Sequence, residues 1–332
     1  MGDSAVDIKE NDILAISPDL LNTLLKDQTM SCGSKQVNIF WATDNYTHLG
    51  DGYQYGDQIT APLITGANGN VIVPRSVKSR ERQQQRSREM AEVFTPSWIC
   101  NAQNNLVDAA WFGRDGVFNT ENPDHTWHVN QDKILFPEGK TWRDYVLDTR
   151  LEITCGEAPY IVSRYDTVTG RPIPVSERIG MLDRKLRVVG ENAATPEEWM
   201  EWVRQAFRHV LGYEWQGDNL LLARENLLMT FVDYHIAVLG TQPSMESLLE
   251  IADIISWNIW QMDGLKGVVP NSCCETRVVE YTLFDTTEKI VACEGCRKND
   301  IRRHNGRYCL IRDWDAKPGE RETLRFIDLI KP

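Results

Sequence analysis

Leu151-Glu-Ile-Thr-Cys-Gly-Glu-Ala-Pro-Tyr160 is an apolar run that ends in an acid and breaks into a turn of small residues. A turn of this kind lets a ligand approach the backbone closely, and in an open α/β sheet it lies at the carboxyl end of a strand, where ligands bind. Further along, Gly212-Tyr-Glu-Trp-Gln-Gly-Asp218 offers a second short strand with an acid, Glu214, at its tip. An acid there is placed to accept hydrogen bonds from a ribose diol.

The patterns around these two strands alternate between helix and strand. Thr195-Pro-Glu-Glu198 is a capping box with proline at the first helical position. It opens a helix whose Trp199, Trp202, Val203, Phe207, Val210 and Leu211 recur at helical spacing. Asp218 starts a second apolar helix and Ser244 caps a third. Ala252–Trp257 reads as a buried strand ending at Asn258. Alternation of this sort predicts an α/β fold with parallel strands. Toward the N-terminus, residues 12–27 read as a helix with Ser17-Pro18 as cap and first turn, and Ala67–Asn70 as a hairpin turn.

The 332 residues fit about two domains. The formal charge of −12 excludes a protein that binds polyanions over its whole surface, but not a local basic groove. Two basic islands exist, Arg75–Arg88 and Arg297–Arg312. Met1–Asn11 has no apolar leader, Gly2 is followed by Val6 where a myristoylation signal needs Ser or Thr, and no apolar run approaches a membrane span. The expectation is a cytoplasmic protein with no membrane partner.

Five of eight cysteines crowd one segment. Cys293, Cys296, His304 and Cys309 form a C-x2-C-x7-H-x4-C pattern, a donor set for closed tetrahedral zinc, with Cys273 and Cys274 as alternative ligands.

Phe94-Thr95-Pro96, Glu152-Ile-Thr-Cys155-Gly156-Glu-Ala158 and Gly212-Tyr-Glu214 followed by Ala223-Arg-Glu-Asn-Leu-Leu228 occur in an order that resembles the amino-terminal half of gamma-type N6-adenine DNA methyltransferases, the M subunits of restriction–modification systems. The resemblance covers about residues 90–260. It implies a Rossmann-like S-adenosylmethionine-dependent methyltransferase sheet at 91–265, an N-terminal α+β extension with a basic connector at 1–90, and a zinc-knuckle-like module with a C-terminal strand at 266–332. It also implies S-adenosylmethionine bound by Phe94, Thr95, Pro96, Glu152, Cys155, Gly156 and Glu214, structural zinc, and DNA as partner in a restriction–modification or phage system. Ala158 stands where the family has a second glycine. The family's N-P-P-Y or D-P-P-Y loop, which holds the flipped adenine, does not occur in the chain. Asn258 and Trp260 lie nearest its expected place and are the expected catalytic pair. The alternative is a non-catalytic methyltransferase-like subunit, or half of a split enzyme whose catalytic loop or specificity comes from a partner subunit.

Overall fold

Thr195 starts the helix that feeds the central strand: its hydroxyl accepts the Glu198 N–H at 3.2 Å, and Pro196 fills the first turn, where no N–H is needed. The computed structural model describes residues 8–78, 86, 95–281, 286–317 and 319–330. Phe94 and most of the connector between Arg75 and Glu89 lie outside them.

In chain order the described elements begin with α1 (Glu10–Ile16), α2 (Pro18–Leu25), α3 (Ala61–Ile64) and α4 (Ser97–Phe112). An antiparallel pair follows, β1 (Asn119–Glu121) and β2 (Trp127–Val129), then α5 (Trp142–Leu147). The central part is β3 (Arg150–Glu152), α6 (Met181–Asn192), α7 (Pro196–Arg208), β4 (Val210–Glu214), α8 (Gly217–Leu239), α9 (Met245–Asn258) and β5 (Ile259–Gln261). The C-terminal part holds the hairpin β6 (Thr276–Tyr281) and β7 (Thr286–Val291), the short α10 (Glu294–Lys298), and the pair β8 (Leu310–Arg312) and β9 (Thr323–Arg325).

β3, β4 and β5 form a parallel three-stranded sheet in sequential order. Its register sets Glu152 opposite Gly212 and Glu214 opposite Gln261. Both crossovers are helical, so the fold is mixed α/β with parallel strands. All three carboxyl ends point to one edge, which therefore carries Glu152, Glu214 and Gln261.

The core runs without a break from the N-terminal segment into the helices over the sheet. Leu20, Leu24, Ile39 and Trp41 share one buried cluster with Leu186, Trp199, Phe207, Phe231, Ile255 and Ile259. Arg224 of α8 ties the same parts together through four carbonyls, those of Leu24, Lys26, Ser256 and Ile259, at 2.5 to 3.1 Å. A second, smaller cluster joins Tyr213 and Trp260 to Cys309, Ile311 and Phe326 of the C-terminal module.

Three local expectations are corrected. Ala252–Trp257 is helical, part of α9, and the strand begins only at Ile259. A short apolar run buried on several sides has the same composition in either state. Ala67–Asn70 is not a hairpin turn: the preceding apolar residues form α3, and Gly66–Asn68 is a single 3-10 turn. Residues 12–27 hold parts of two helices, because Ser17 is extended and caps the second.

Candidate metal centre and the acidic edge of the sheet

Cys293 sits two residues beyond β7 and caps α10, its sulfur accepting the Cys296 N–H at 3.4 Å. The single helical turn brings Cys296 round to the same side. The Sγ atoms of Cys273, Cys293 and Cys296 lie 3.5, 3.5 and 3.7 Å from His304 Nδ1, and all four ligand atoms fall within 4.8 Å of one another. A tetrahedral ion with sulfur at about 2.3 Å and nitrogen at about 2.0–2.1 Å has sulfur–nitrogen edges of about 3.6 Å. The donor set and its spacing therefore fit a metal ion such as zinc.

The surroundings are shaped to hold these ligands. A Cβ on Gly295 would stand 2.7 Å from His304 Nδ1, so only glycine lets the knuckle close on the ring. Asn305 clasps the opposite side, accepting the Cys274 N–H at 3.1 Å and donating to the Cys274 carbonyl at 2.8 Å. Burial pushes the Cys293 thiol up, but N–H and side-chain contacts from Asn305, Cys296 and His304 outweigh it and bring it to about 6. Burial and the neighbouring Cys293 and Cys296 sulfurs push Cys273 up to about 12.

Cys309 is not a ligand. Its side chain is fully buried in the smaller core cluster, and its thiol donates to the Gln261 carbonyl at 3.3 Å. Cys273, one of the two alternatives, takes the fourth position, and its neighbour Cys274 is exposed.

The second constellation is the carboxyl edge. After β3 the chain turns through Thr154, Gly156 and Ala158, with φ of 47°, 54° and 63°. The left-handed conformation costs a residue with a Cβ roughly 1–2 kcal/mol. Ala158 thus holds a left-handed conformation that glycine adopts without that cost. The Glu152 carboxylate accepts N–H groups from Tyr160 and Ile161 at 3.4 and 3.1 Å. Glu214 reaches across from β4, each oxygen accepting one N–H, from Gly156 at 2.9 Å and from Gln216 at 3.1 Å. Each oxygen keeps a further lone pair. Burial raises Glu214, and it raises Glu152 and the Cys155 thiol well above their usual ranges.

No family model, no curated protein and no solved structure matches the chain. Thr95 and Pro96 pack near this edge: the Thr95 carbonyl accepts the Thr167 hydroxyl at 3.1 Å, and helix α4 begins one residue after Pro96. Asp166 caps that helix, accepting the Ser97 N–H at 2.8 Å.

Asn258 and Trp260 are elsewhere. Asn258 ends α9 at the amino end of β5, the opposite edge of the sheet. Its amide donates to the carbonyls of Phe207, Arg208 and Val210 at 2.9 to 3.1 Å, and its oxygen accepts the Trp314 indole N–H at 2.9 Å. An amide so engaged has nothing to offer an adenine. Trp260 is buried against Tyr213 and Phe326, and its N–H faces the Met262 sulfur. Neither performs the catalytic role expected of it.

Other groups at the carboxyl edge carried no recognisable motif. Asp263 follows β5, is buried, and pairs with Lys266 at 3.0 Å. Asp218, in the first turn of α8, accepts the Tyr46 hydroxyl and pairs with Arg86, both at 2.8 Å. Arg86 thus turns one charge of the basic connector inward. In the second island, Lys298 and Arg303 pair with Glu294, and Arg312 lies near Asp253 and Glu322.

Proposed function

We propose that the chain binds S-adenosylmethionine at the carboxyl edge of β3 and β4 and serves in DNA adenine-N6 modification. The observation that carries this reading is the Glu214 carboxylate, hydrogen-bonded to the Gly156 N–H of the neighbouring turn with lone pairs to spare. In this reading Glu214 accepts the ribose hydroxyls, and the turn at Cys155 and Gly156, fixed by Glu152, gives the methionine portion a close approach to backbone. The cofactor supplies an activated methyl group. The residues of this chain bind it, orient it and keep water from it.

The placement of Asn258 and Trp260 favours a second statement within the same reading: the chain is a methyltransferase-like subunit, and the loop that holds adenine comes from a partner subunit. The Cys273, Cys293, Cys296 and His304 site holds structural zinc, since four protein ligands leave no open position for substrate. No helix among the described residues is long and apolar enough to cross a membrane.

Calorimetric titration with S-adenosylmethionine, followed by an assay of tritiated methyl transfer to unmethylated DNA, tests both statements. Saturable binding without transfer by the isolated chain is expected. Absence of binding removes the cofactor assignment, and transfer by the chain alone removes the need for a partner. Glu214→Gln, which keeps the shape of the side chain, is expected to weaken binding at least about tenfold, in line with loss of charge-assisted hydrogen bonds.

A further inference from the structure

The sheet of β3, β4 and β5 is wound in one direction only. Strand order follows chain order with β3 at one edge, and among the described residues β3 pairs with β4 alone. Val210 and Ile259 point into the cluster that holds Leu186, Phe207, Phe231 and Ile255, so α6, α7, α8 and α9 lie over one face of the sheet. Tyr213 and Trp260 point to the other face, where Cys309, Ile311 and Phe326 cover β4 and β5. That cover stops short of β3. Leu151, opposite Leu211 in the register, is 40% exposed, and Ile153 is 62% exposed.

The edge itself is open. The Arg150 N–H donates to the His209 carbonyl at 3.1 Å, so Arg150 and Glu152 turn their main-chain groups toward β4. The alternate residues, Leu151 and Ile153, turn theirs outward. Among the described residues no main-chain group pairs with them, and the Ile153 carbonyl accepts only the hydroxyl of its neighbour Thr154, at 2.7 Å. Natural sheet edges are commonly blunted by charge, by proline or by a covering element. The two charged residues of β3, Arg150 and Glu152, are instead turned inward and buried.

A parallel sheet is normally covered on both faces, and a doubly wound one continues from its first strand in the opposite direction, with helices on the other face. Ligands bind where the winding reverses. In this sheet that place is the open edge of β3, beside the Glu152 carboxylate and the Gly156 turn. A second copy joined here by a two-fold axis would run antiparallel to β3 and carry its own acidic edge to the far end. A parallel strand from a different chain brings its carboxyl end, and the loop that follows, to the Gly156 turn.

We propose that the open edge of β3 is the docking site of a second α/β polypeptide, whose strand adds parallel to β3 and whose helices cover Leu151 and Ile153. This pairing rests on the partner-subunit reading given above and needs no bound cofactor.

Photolysis of the full chain carrying Ile153→p-benzoylphenylalanine, in its native cells, tests it by mass spectrometry of the cross-linked peptide. The cross-link is expected within a strand of a second polypeptide in which strands and helices alternate. Hydrogen exchange of segment 150–153 is expected to slow at least about tenfold in the purified pair, relative to the chain alone. Leu151→Pro removes an outward N–H and leaves the bonds to β4 in place, and Leu151→Lys sets a charge on the edge. Each is expected to keep the melting temperature and lose the cross-link. The proposal is overturned by no cross-link, by one to a second copy of this chain, or by one outside a strand. It is also overturned by undiminished cross-linking in a folded Leu151→Pro variant, or in Leu151→Lys where the proline variant does not fold. A cross-linked pair that binds no S-adenosylmethionine leaves the docking edge standing and removes only the cofactor assignment.

Discussion

Cys273 and Cys309 share a side chain and differ in everything around it. Cys273 faces His304 at 3.5 Å, whereas Cys309 faces a carbonyl inside an apolar cluster. Spacing alone favours Cys309, which is close in sequence, over Cys273, which a hairpin separates from the other ligands. The expected outcome is that Cys273→Ser loses stoichiometric zinc by elemental analysis. Cys309→Ser is expected to keep its zinc and lose roughly 1–2 kcal/mol of stability, having placed a hydroxyl in an apolar cluster. Asn258 permits a similar separation of roles. Asn258→Ala removes a donor from three carbonyls and the acceptor of the Trp314 indole, and is expected to lower the urea-unfolding free energy by about 2–4 kcal/mol. S-adenosylmethionine affinity is expected to stay the same, because the opposite edge of the sheet is untouched. A fall in affinity without a fall in stability would contradict that placement.

Among the elements, those legible in the sequence carry their own local signals. Thr195 capped a helix because a hydroxyl and a first-turn proline suit that position in any fold. The strand ending in Glu152 and its turn were legible because an acid followed by small residues has few other uses. Ala252–Trp257 was misread because a helix packed on several sides has no polar stripe to reveal its period. Asp218 reads in the sequence only as a helix start, because its partners Tyr46 and Arg86 come from a distant segment, and Asp263 has no signal because only the pairing of β5 with β4 brings it to the edge. Gly295 is the element-scale weak point of the metal module. Gly295→Ala would press a methyl group onto His304, and the expected result is zinc affinity reduced at least about tenfold in a competition titration with a chromophoric chelator. Undiminished affinity would mean that the knuckle can open without losing its ligands.

On the scale of the whole molecule, the N-terminal segment is fastened to the sheet by charge as well as by apolar burial. Burial alone would push Asp218 up, yet Arg86 and Lys78 bring it down from 3.8 to about 2. A carboxyl that titrates lower in the folded than in the unfolded chain stabilises the fold fully above about pH 4. That contribution, about 2 kcal/mol, fades as pH falls toward 2. Asp218→Asn should therefore unfold more readily at pH 7, and its stability should change less between pH 4 and 2 than that of the parent. Acid titration followed by tryptophan fluorescence reads both effects. Parallel acid limbs in the two proteins would place the titration elsewhere.

The hairpin of β6 and β7 leaves the body of the protein just after Cys273 and returns at Cys293. A bound ion therefore acts as a knot at the neck of a loop of about 20 residues. A covalent cross-link around a loop of that length removes enough freedom from the unfolded chain to be worth about 3 kcal/mol. The ion confers the same topological restraint without a covalent bond, so a chelator can untie it and fresh metal can tie it again. Chain length added to the hairpin raises the closure cost only logarithmically. Residues added to the hairpin are thus expected to cost the bound form little stability.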